Sequence, residues 1–145
     1  RTNDPHIYSA GDCANHPNAF FACRLRLESV QNAMEHGRTV AANLLGKGAI
    51  YNVVPWFWSD QYDLKLQMVG LSKGFDKMVV RGDFNSRAFA AFYLKDGHLI
   101  AADTVGRPQD FMFAKKLVAA KAQIRAEMLE DGSLALTDIA RLSGS

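Results

Sequence analysis

An Asp96-Gly97 pair between two β-rich runs constrains the fold more than any other feature of this sequence. The pair joins the halves of RAFAAFYLKDGHLIAADTVG, residues 87–106. Aspartate followed by glycine accepts the positive φ angles that a two-residue hairpin turn of type I′ requires. The sequence therefore predicts a β-hairpin here, and with it an antiparallel sheet.

Further strands and helices are predicted on both sides of this hairpin. LKLQMVGL (residues 64–71) alternates apolar and polar side chains, and KMVVRGD (residues 77–83) is a second strand candidate. Pro108 fits the first turn of a helix, where its missing N–H costs nothing. A last short helix is predicted near TDIARL, residues 137–142.

The N-terminal part combines a short strand candidate with a long helix. The apolar run Ile7–Ala10 lies between Pro5 and Gly11 and predicts a buried strand. The helix is indicated by apolar residues at steps of three and four and is ended by GKG. This apolar stripe consists of Val30, Ala33, Met34, Gly37, Val40, Ala41, Leu44 and Leu45.

Together these elements predict an α+β fold in two parts. Residues 1–50 are expected to be the remnant of an α/β domain, with a strand and a helix. Residues 51–145 are expected to form an antiparallel-sheet domain with helices, and the change of pattern falls near residues 47–55.

Composition excludes several classes of protein. The net charge is +2 with scattered cations, so nucleic acid is not an expected partner. No run approaches the roughly 20 apolar residues of a membrane helix. Cys13 and Cys23 are expected to be reduced thiols of a cytoplasmic protein, and the four histidines show no metal-ligand spacing. The N-terminus has no secretory signal pattern. Because the chain opens at Arg1 rather than at a methionine, we expect a fragment of a longer protein.

Asp12 is the first candidate for a ligand-binding residue. It follows the predicted strand, and in α/β sheets the carboxyl ends of strands open onto the ligand crevice. Its carboxylate can accept hydrogen bonds from ligand hydroxyls, while Gly11 allows a close approach of the backbone. The alternative is an ordinary aspartate in a turn.

Two more stretches are candidates, each ambiguous alone. The helix start in RLESVQNA presents backbone amides without internal partners, which attract an electron-rich ligand edge, although every helix has such an end. In VPWFWSDQYD the aromatics Trp56, Phe57 and Trp58 precede a polar stretch. A stacking or interface role is therefore at least as well supported as packing in a core.

In order along the chain, these motifs resemble the C-terminal part of the FAD-dependent ferredoxin reductases that serve oxygenases. The matching stretches are TNDPHIYSAGDCA, RLESVQNAMEHGRTVAANLLG and VPWFWSDQYDLKLQMVGL, and the likeness continues to about residue 120. This family, which includes putidaredoxin reductase, is part of the pyridine nucleotide-disulfide oxidoreductase superfamily.

The resemblance implies specific roles. Asp12, with Gly11, would contact the ribityl chain of FAD, and the amides of Val30 and Gln31 would contact its pyrimidine edge. Trp58 would lie beside the flavin ring on the side of a [2Fe-2S] ferredoxin. Enzymes of this family pass electrons from NAD(P)H through FAD to the ferredoxin. Because ferredoxins are acidic, we also expect three cations, Arg38, Lys115 and Lys116, to join Trp58 on the ferredoxin-facing surface.

One departure from the family pattern qualifies this expectation. No Gly-x-Gly-x-x-Gly occurs in the sequence, whereas the family uses two such units for FAD and NAD(P)H. No catalytic residue or metal site is therefore predicted, and the chain alone is expected to be inactive and to self-associate, or to dock its helix on its own sheet. The alternative is a non-catalytic binding or dimerisation module derived from the same domain.

Overall fold

The computed structural model describes residues 1–142 and divides the chain into two compact units, Arg1–Pro55 and Trp56–Ser145. We call these the first and the second unit. The described residues form helices together with one two-stranded and one five-stranded antiparallel sheet, which confirms the predicted α+β class.

The first unit contains a short 3-10 turn at Gly11–Cys13, a small hairpin and one long helix. The hairpin pairs β1 (His16–Asn18) with β2 (Cys23–Leu25), and helix α1 spans Val30–Leu44. Ser29 caps α1, because its Oγ accepts a hydrogen bond from the Asn32 amide at 3.1 Å. The predicted helix is confirmed, whereas no pattern in the sequence indicated the small hairpin.

Residues Ile7–Ala10 are not a strand, so this prediction was wrong. The carbonyl of Ile7 accepts a hydrogen bond from the Thr2 amide at 2.9 Å and closes a local loop. Within residues 1–142 no other strand pairs with this run. A short apolar run indicates burial, but it does not provide the hydrogen-bonding partner that makes a strand.

The second unit is built on five strands in the order β3-β4-β7-β6-β5. The three predicted strand regions are confirmed, and the predicted turn at Asp96 and Gly97 has φ angles of 50° and 76°. The strands are β3 (Trp56–Gln61), β4 (Leu64–Gly70), β5 (Lys77–Asp83), β6 (Ala88–Lys95) and β7 (His98–Val105).

Helices cover one face of this sheet. Helix α2 (Pro108–Ala119) begins at Pro108 as predicted and packs on β7 and β4, while α3 (Ala126–Glu130) packs on β5. The last predicted helix is α4 (Leu136–Leu142), and α3 was not predicted. One buried row crosses the sheet beneath them, formed by Val69, Ala102, Phe92 and Val79.

Candidate functional site

The Gly11–Cys13 turn holds Asp12 at the surface of the first unit. Gly11 has a φ of 75°, which glycine adopts at little cost, and a side chain at this position would meet Ala33 of α1. Asp12 is exposed, and no group within residues 1–142 donates a hydrogen bond to its carboxylate. Both carboxylate oxygens are therefore available to hydroxyl groups of a ligand.

The start of α1 leaves two backbone donors free. The amide of Asn32 is used by the Ser29 side chain, and the amide of Ala33 by the Ser29 carbonyl at 3.0 Å. Within the described part of the chain the amides of Val30 and Gln31 have no partner, and the first turn of α1 carries no acidic residue. These two N–H groups, at the positive end of the helix, suit an electron-rich edge.

Arg26 joins the turn to the segment before α1, a contact that the sequence did not reveal. Its Nη1 donates to the carbonyl of Asp12 at 3.1 Å and forms an ion pair with Glu28 at 2.5 Å. Together with the packing of Gly11 against Ala33, this contact brings the Asp12 turn and the helix start side by side. The spacing of Arg26 and Glu28 could have indicated their ion pair, but nothing in the sequence indicated the contact of Arg26 with Asp12.

The side chains beneath the turn form a cluster of three rings. His36 lies 4.6 Å from His16 and 4.3 Å from Tyr51 between ring centroids, in edge-to-face geometry. The Nδ1 atom of His36 accepts a hydrogen bond from the Gly11 amide at 3.1 Å. The Tyr51 hydroxyl donates to Oδ1 of Asn32 at 3.1 Å. No local sequence motif could predict this cluster, because its members are far apart in the sequence.

Burial sets the protonation of these rings. It lowers the pKa of His36, and the neighbouring His16 lowers it further. Burial also lowers the pKa of His16, with Arg24 adding to the effect and the Ala14 backbone opposing it. For Tyr51, burial raises the pKa of the hydroxyl. The cluster is therefore uncharged at neutral pH.

Trp58 lies on the edge strand β3 of the second unit. No strand was predicted at Trp56–Gln61, yet this stretch pairs with β4 along its whole length. The rings of Trp56 and Trp58 stack at 5.3 Å, and Trp56 also contacts Phe111 of α2 at 5.9 Å. Both tryptophans remain partly exposed on the helix-covered face, so each combines packing with an accessible ring edge.

The predicted partner-facing cations have different surroundings. The Nζ atom of Lys115 lies 4.5 Å from the centre of the Trp56 ring, a cation–π contact. Lys116 is exposed, with its Nζ atom 5.8 Å from the Phe113 ring. Arg38, on α1 in the first unit, forms an ion pair with Glu35 at 2.5 Å. Lys116 therefore retains the least compensated of these charges.

The remaining features of the described residues add no predicted site residue. Within residues 1–142 no three His, Cys, Asp or Glu side chains are placed to hold a metal ion, and no helix there could cross a membrane. Cys13 and Cys23 are both free and exposed. A concavity of about 460 Å³ in the second unit is lined by Lys77, Gln123 and Arg125 among others. It contains none of the predicted site residues.

Comparison with protein families and curated proteins gives a consistent result. Residues 56–140 match the family described as Reductase C-terminal. The chain is 42% identical over 144 residues to the 5,5'-dehydrodivanillate O-demethylase ferredoxin reductase subunit of Sphingobium sp. strain SYK-6, which covers 99% of the chain and 35% of the relative. It is 41% identical over 139 residues to putidaredoxin reductase from Pseudomonas putida, covering 96% and 33%.

Solved structures agree with this comparison. The reductase in the covalent putidaredoxin reductase–putidaredoxin complex superposes with a TM-score of 0.91 at 39% identity, over 99% of this chain and 34% of that one. The ferredoxin reductase for the CYP199A2 system from Rhodopseudomonas palustris gives a TM-score of 0.88 at 44% identity, over 94% and 34%. The chain thus spans about a third of the length of these relatives.

Proposed function

This chain belongs to the reductase C-terminal family, and we propose on that basis that it forms the flavin-facing and ferredoxin-facing part of a ferredoxin reductase. In the whole enzyme, electrons would pass from NAD(P)H through FAD to a [2Fe-2S] ferredoxin. Residues 1–50 would be the last part of the FAD-binding domain, and residues 51–145 the C-terminal reductase domain. The free thiols of Cys13 and Cys23 fit a cytoplasmic enzyme.

The free amides of Val30 and Gln31 beside the unpaired Asp12 carboxylate carry this proposal. The amides donate, so they suit the electron-rich pyrimidine edge of a flavin. The carboxylate accepts, so it suits the ribityl hydroxyls, and Gly11 leaves room for them. When bound, FAD would supply the ability to take up two electrons and release them one at a time.

Trp58 and the cations Lys115, Lys116 and Arg38 would serve the ferredoxin. Ferredoxins are acidic, and complementary charge increases the rate at which two proteins meet. The stacked pair of Trp56 and Trp58, with Lys115 over Trp56, gives the Trp58 ring a fixed orientation on β3. Lys116, and more weakly Arg38, would add positive charge to the ferredoxin-facing surface.

NAD(P)H would bind outside these residues. The sequence has no Gly-x-Gly-x-x-Gly, and the pyrophosphate of a dinucleotide is normally held by such a glycine-rich turn and the helix that follows it. The chain by itself would accordingly hold FAD weakly and would not oxidise NAD(P)H.

A second candidate function is a non-catalytic binding or dimerisation module, favoured by the exposed apolar side of α1. Val30 is 57% exposed, Met34 52% and Leu44 70%. A patch of this kind on one helix commonly binds a partner. In the whole reductase the same side chains would pack in the FAD-binding domain, so the two candidates differ in what covers α1.

A chimeric reductase tests the proposal directly. In putidaredoxin reductase from Pseudomonas putida, the segment that aligns with this chain is replaced by the chain. We expect this chimeric reductase to use NADH to reduce putidaredoxin, since the chain would supply the missing flavin and ferredoxin contacts. The same replacement in the Sphingobium relative, with its own ferredoxin, controls for a mismatch at the joints. Folded chimeras that reduce neither partner protein would favour the binding module.

A further inference from the structure

The buried side of α1 is polar, although its exposed side carries the apolar stripe. Gln31, Asn32 and His36 are its buried residues, with exposed fractions of 6%, 0% and 5%. Burying polar groups costs free energy unless they are hydrogen-bonded, and on this face the side chains of Asn32 and His36 both are. These side chains contact the start of α1 and the Gly11–Cys13 turn, the two parts of the first unit that would bind a ligand.

Asn32 holds the N-terminus of α1 in place. Its Nδ2 donates to the Leu27 carbonyl at 2.9 Å, and its Oδ1 accepts from the Tyr51 hydroxyl at 3.1 Å. Its amide is held by Ser29. These bonds leave the amides of Val30 and Gln31 as the free donors at the helix start.

His36 contacts the Gly11–Cys13 turn, which carries Asp12. The Gly11 amide donates to Nδ1 of His36 at 3.1 Å. An N–H group can donate only to a ring nitrogen that carries no proton, so the neutral ring must hold its proton on Nε2. We propose that His36 is a positioning residue: its unprotonated Nδ1 holds the Gly11–Cys13 turn, and protonation of His36 releases the turn.

The groups around His36 favour its neutral state. His16 of β1 and Tyr51, from the segment after α1, pack their rings against it. Arg24 of β2 acts on His16, and Glu35 of α1 acts on Tyr51. Asp12, the charged residue of the turn, points into solvent. Burial and the neighbouring His16 together lower the pKa of His36 from 6.5.

The sign of the pH dependence follows from this shift. A histidine whose pKa is lower in the folded than in the unfolded protein stabilises the fold fully at a pH above about 6.5. The contribution declines as the pH falls below that value toward the pKa of the folded state. The turn should therefore be held at neutral pH and released as the pH falls through the lowered pKa of His36.

That this turn presents Asp12 to a cofactor rests on the proposed function. Whether His36 holds the turn can be measured without any ligand. On the full 145-residue chain, NMR follows the His36 ring and the hydrogen-exchange protection factor of the Gly11 amide as a function of pH. We expect the Nε2–H tautomer at neutral pH. We also expect the Gly11 protection factor to fall about fivefold to tenfold as His36 titrates.

Three variants distinguish positioning from packing. His36→Gln retains an acceptor that does not titrate, so Gly11 should stay protected with no pH step. His36→Leu fills the site without an acceptor, so protection should be low at every pH. His98→Gln removes an exposed histidine from the second unit and should behave as the unchanged chain.

Several results would overturn the proposal. The first two are an Nδ1–H tautomer of His36 and a Gly11 protection factor that does not change as His36 titrates. The others are a protection factor in His36→Leu equal to that of the unchanged chain, and a pH step in His36→Gln equal to that of the unchanged chain. If circular dichroism shows that His36→Leu does not fold, the unchanged chain and His36→Gln decide the question. If the turn follows His36 while flavin binding in the chimeric reductase does not depend on Asp12, the positioning role stands and the proposed function fails.

Discussion

Asp12 lies in a turn that its neighbours hold from two sides. Arg26 contacts its carbonyl and His36 contacts the amide of Gly11, while the carboxylate itself has no partner within residues 1–142. A side chain kept in place but unpaired contributes little to the fold. Changing it should therefore affect ligand binding far more than stability.

Asp12→Ala in the chimeric reductase should weaken FAD binding and leave the fold intact. A hydrogen bond to a charged acceptor contributes about 1.5–3 kcal/mol, which corresponds to roughly a tenfold to 150-fold weaker affinity. Flavin retention during dialysis and titration of the apoprotein with FAD measure this loss. Asp12→Asn, which retains an acceptor, should have a smaller effect. Unchanged occupancy and affinity in Asp12→Ala would show that Asp12 is an ordinary turn residue.

Trp58→Ala should slow ferredoxin reduction more than flavin reduction. The indole is stacked on Trp56 and partly exposed on an edge strand, a position that suits contact with another protein. Stopped-flow measurements on the chimeric reductase separate flavin reduction by NADH from electron transfer to putidaredoxin. Phe57→Ala is the matched control, since alternation along β3 points Phe57 to the opposite face. An equal loss in both steps would make Trp58 a structural or flavin-contacting residue.

At the scale of elements, the five-stranded sheet contains a polar pair that tests its packing. On the face away from the helices, the Tyr93 hydroxyl donates to Oδ2 of Asp103 at 2.8 Å. Burial raises the pKa of Asp103, and the hydrogen bond from Tyr93 opposes this shift. Burial, the hydrogen bond and the charge of Asp103 together raise the pKa of Tyr93 to about 12.

Tyr93→Phe should destabilise the second unit by about 1.5–3 kcal/mol at neutral pH, because an ionised, half-buried Asp103 loses its donor. A carboxyl whose pKa is raised by folding stabilises the fold fully below about pH 3.8 and loses that contribution as the pH rises. The effect of Tyr93→Phe should therefore shrink as the pH falls and Asp103 protonates. Urea unfolding at several pH values measures it, with the fully exposed Tyr62→Phe as control. A loss that is independent of pH would contradict this account.

The elements that could be predicted from sequence are those specified by local chemistry. The Asp96-Gly97 turn requires positive φ angles, and Pro108 fits only the start of a helix, so both were correct. The strand predicted at Ile7–Ala10 was wrong and the strand at Trp56–Gln61 was missed, because pairing depends on which other strand is available and an apolar run does not reveal its partner. The resemblance of three ordered motifs gave the candidate residues. It could not give the roles of His36 or Arg26, since their contacts run from α1 and from the segment between β2 and α1 to a distant turn.

At the scale of the whole molecule, the exposed stripe of α1 predicts self-association of the isolated chain. Leu44, the last residue of α1, is 70% exposed, and Leu45, which follows it as the C-cap, is 74% exposed. Sedimentation of the purified chain should show dimers or larger species that shift toward monomer in Leu44→Glu. Tyr62→Glu introduces the same charge at an exposed residue of the second unit and should leave the distribution unchanged. A monomeric chain at all concentrations would remove the support for a dimerisation module.

If this chain carries the flavin contacts of a ferredoxin reductase, the chimeric reductase should contain FAD, and its flavin content is the decisive measurement. FAD is quantified from the absorbance spectrum of the purified, folded chimera against its protein concentration. The account predicts about one FAD per chain, because Asp12 and the free amides of Val30 and Gln31 complete a site whose dinucleotide part comes from the host enzyme. A chimera that folds and binds no flavin would contradict it.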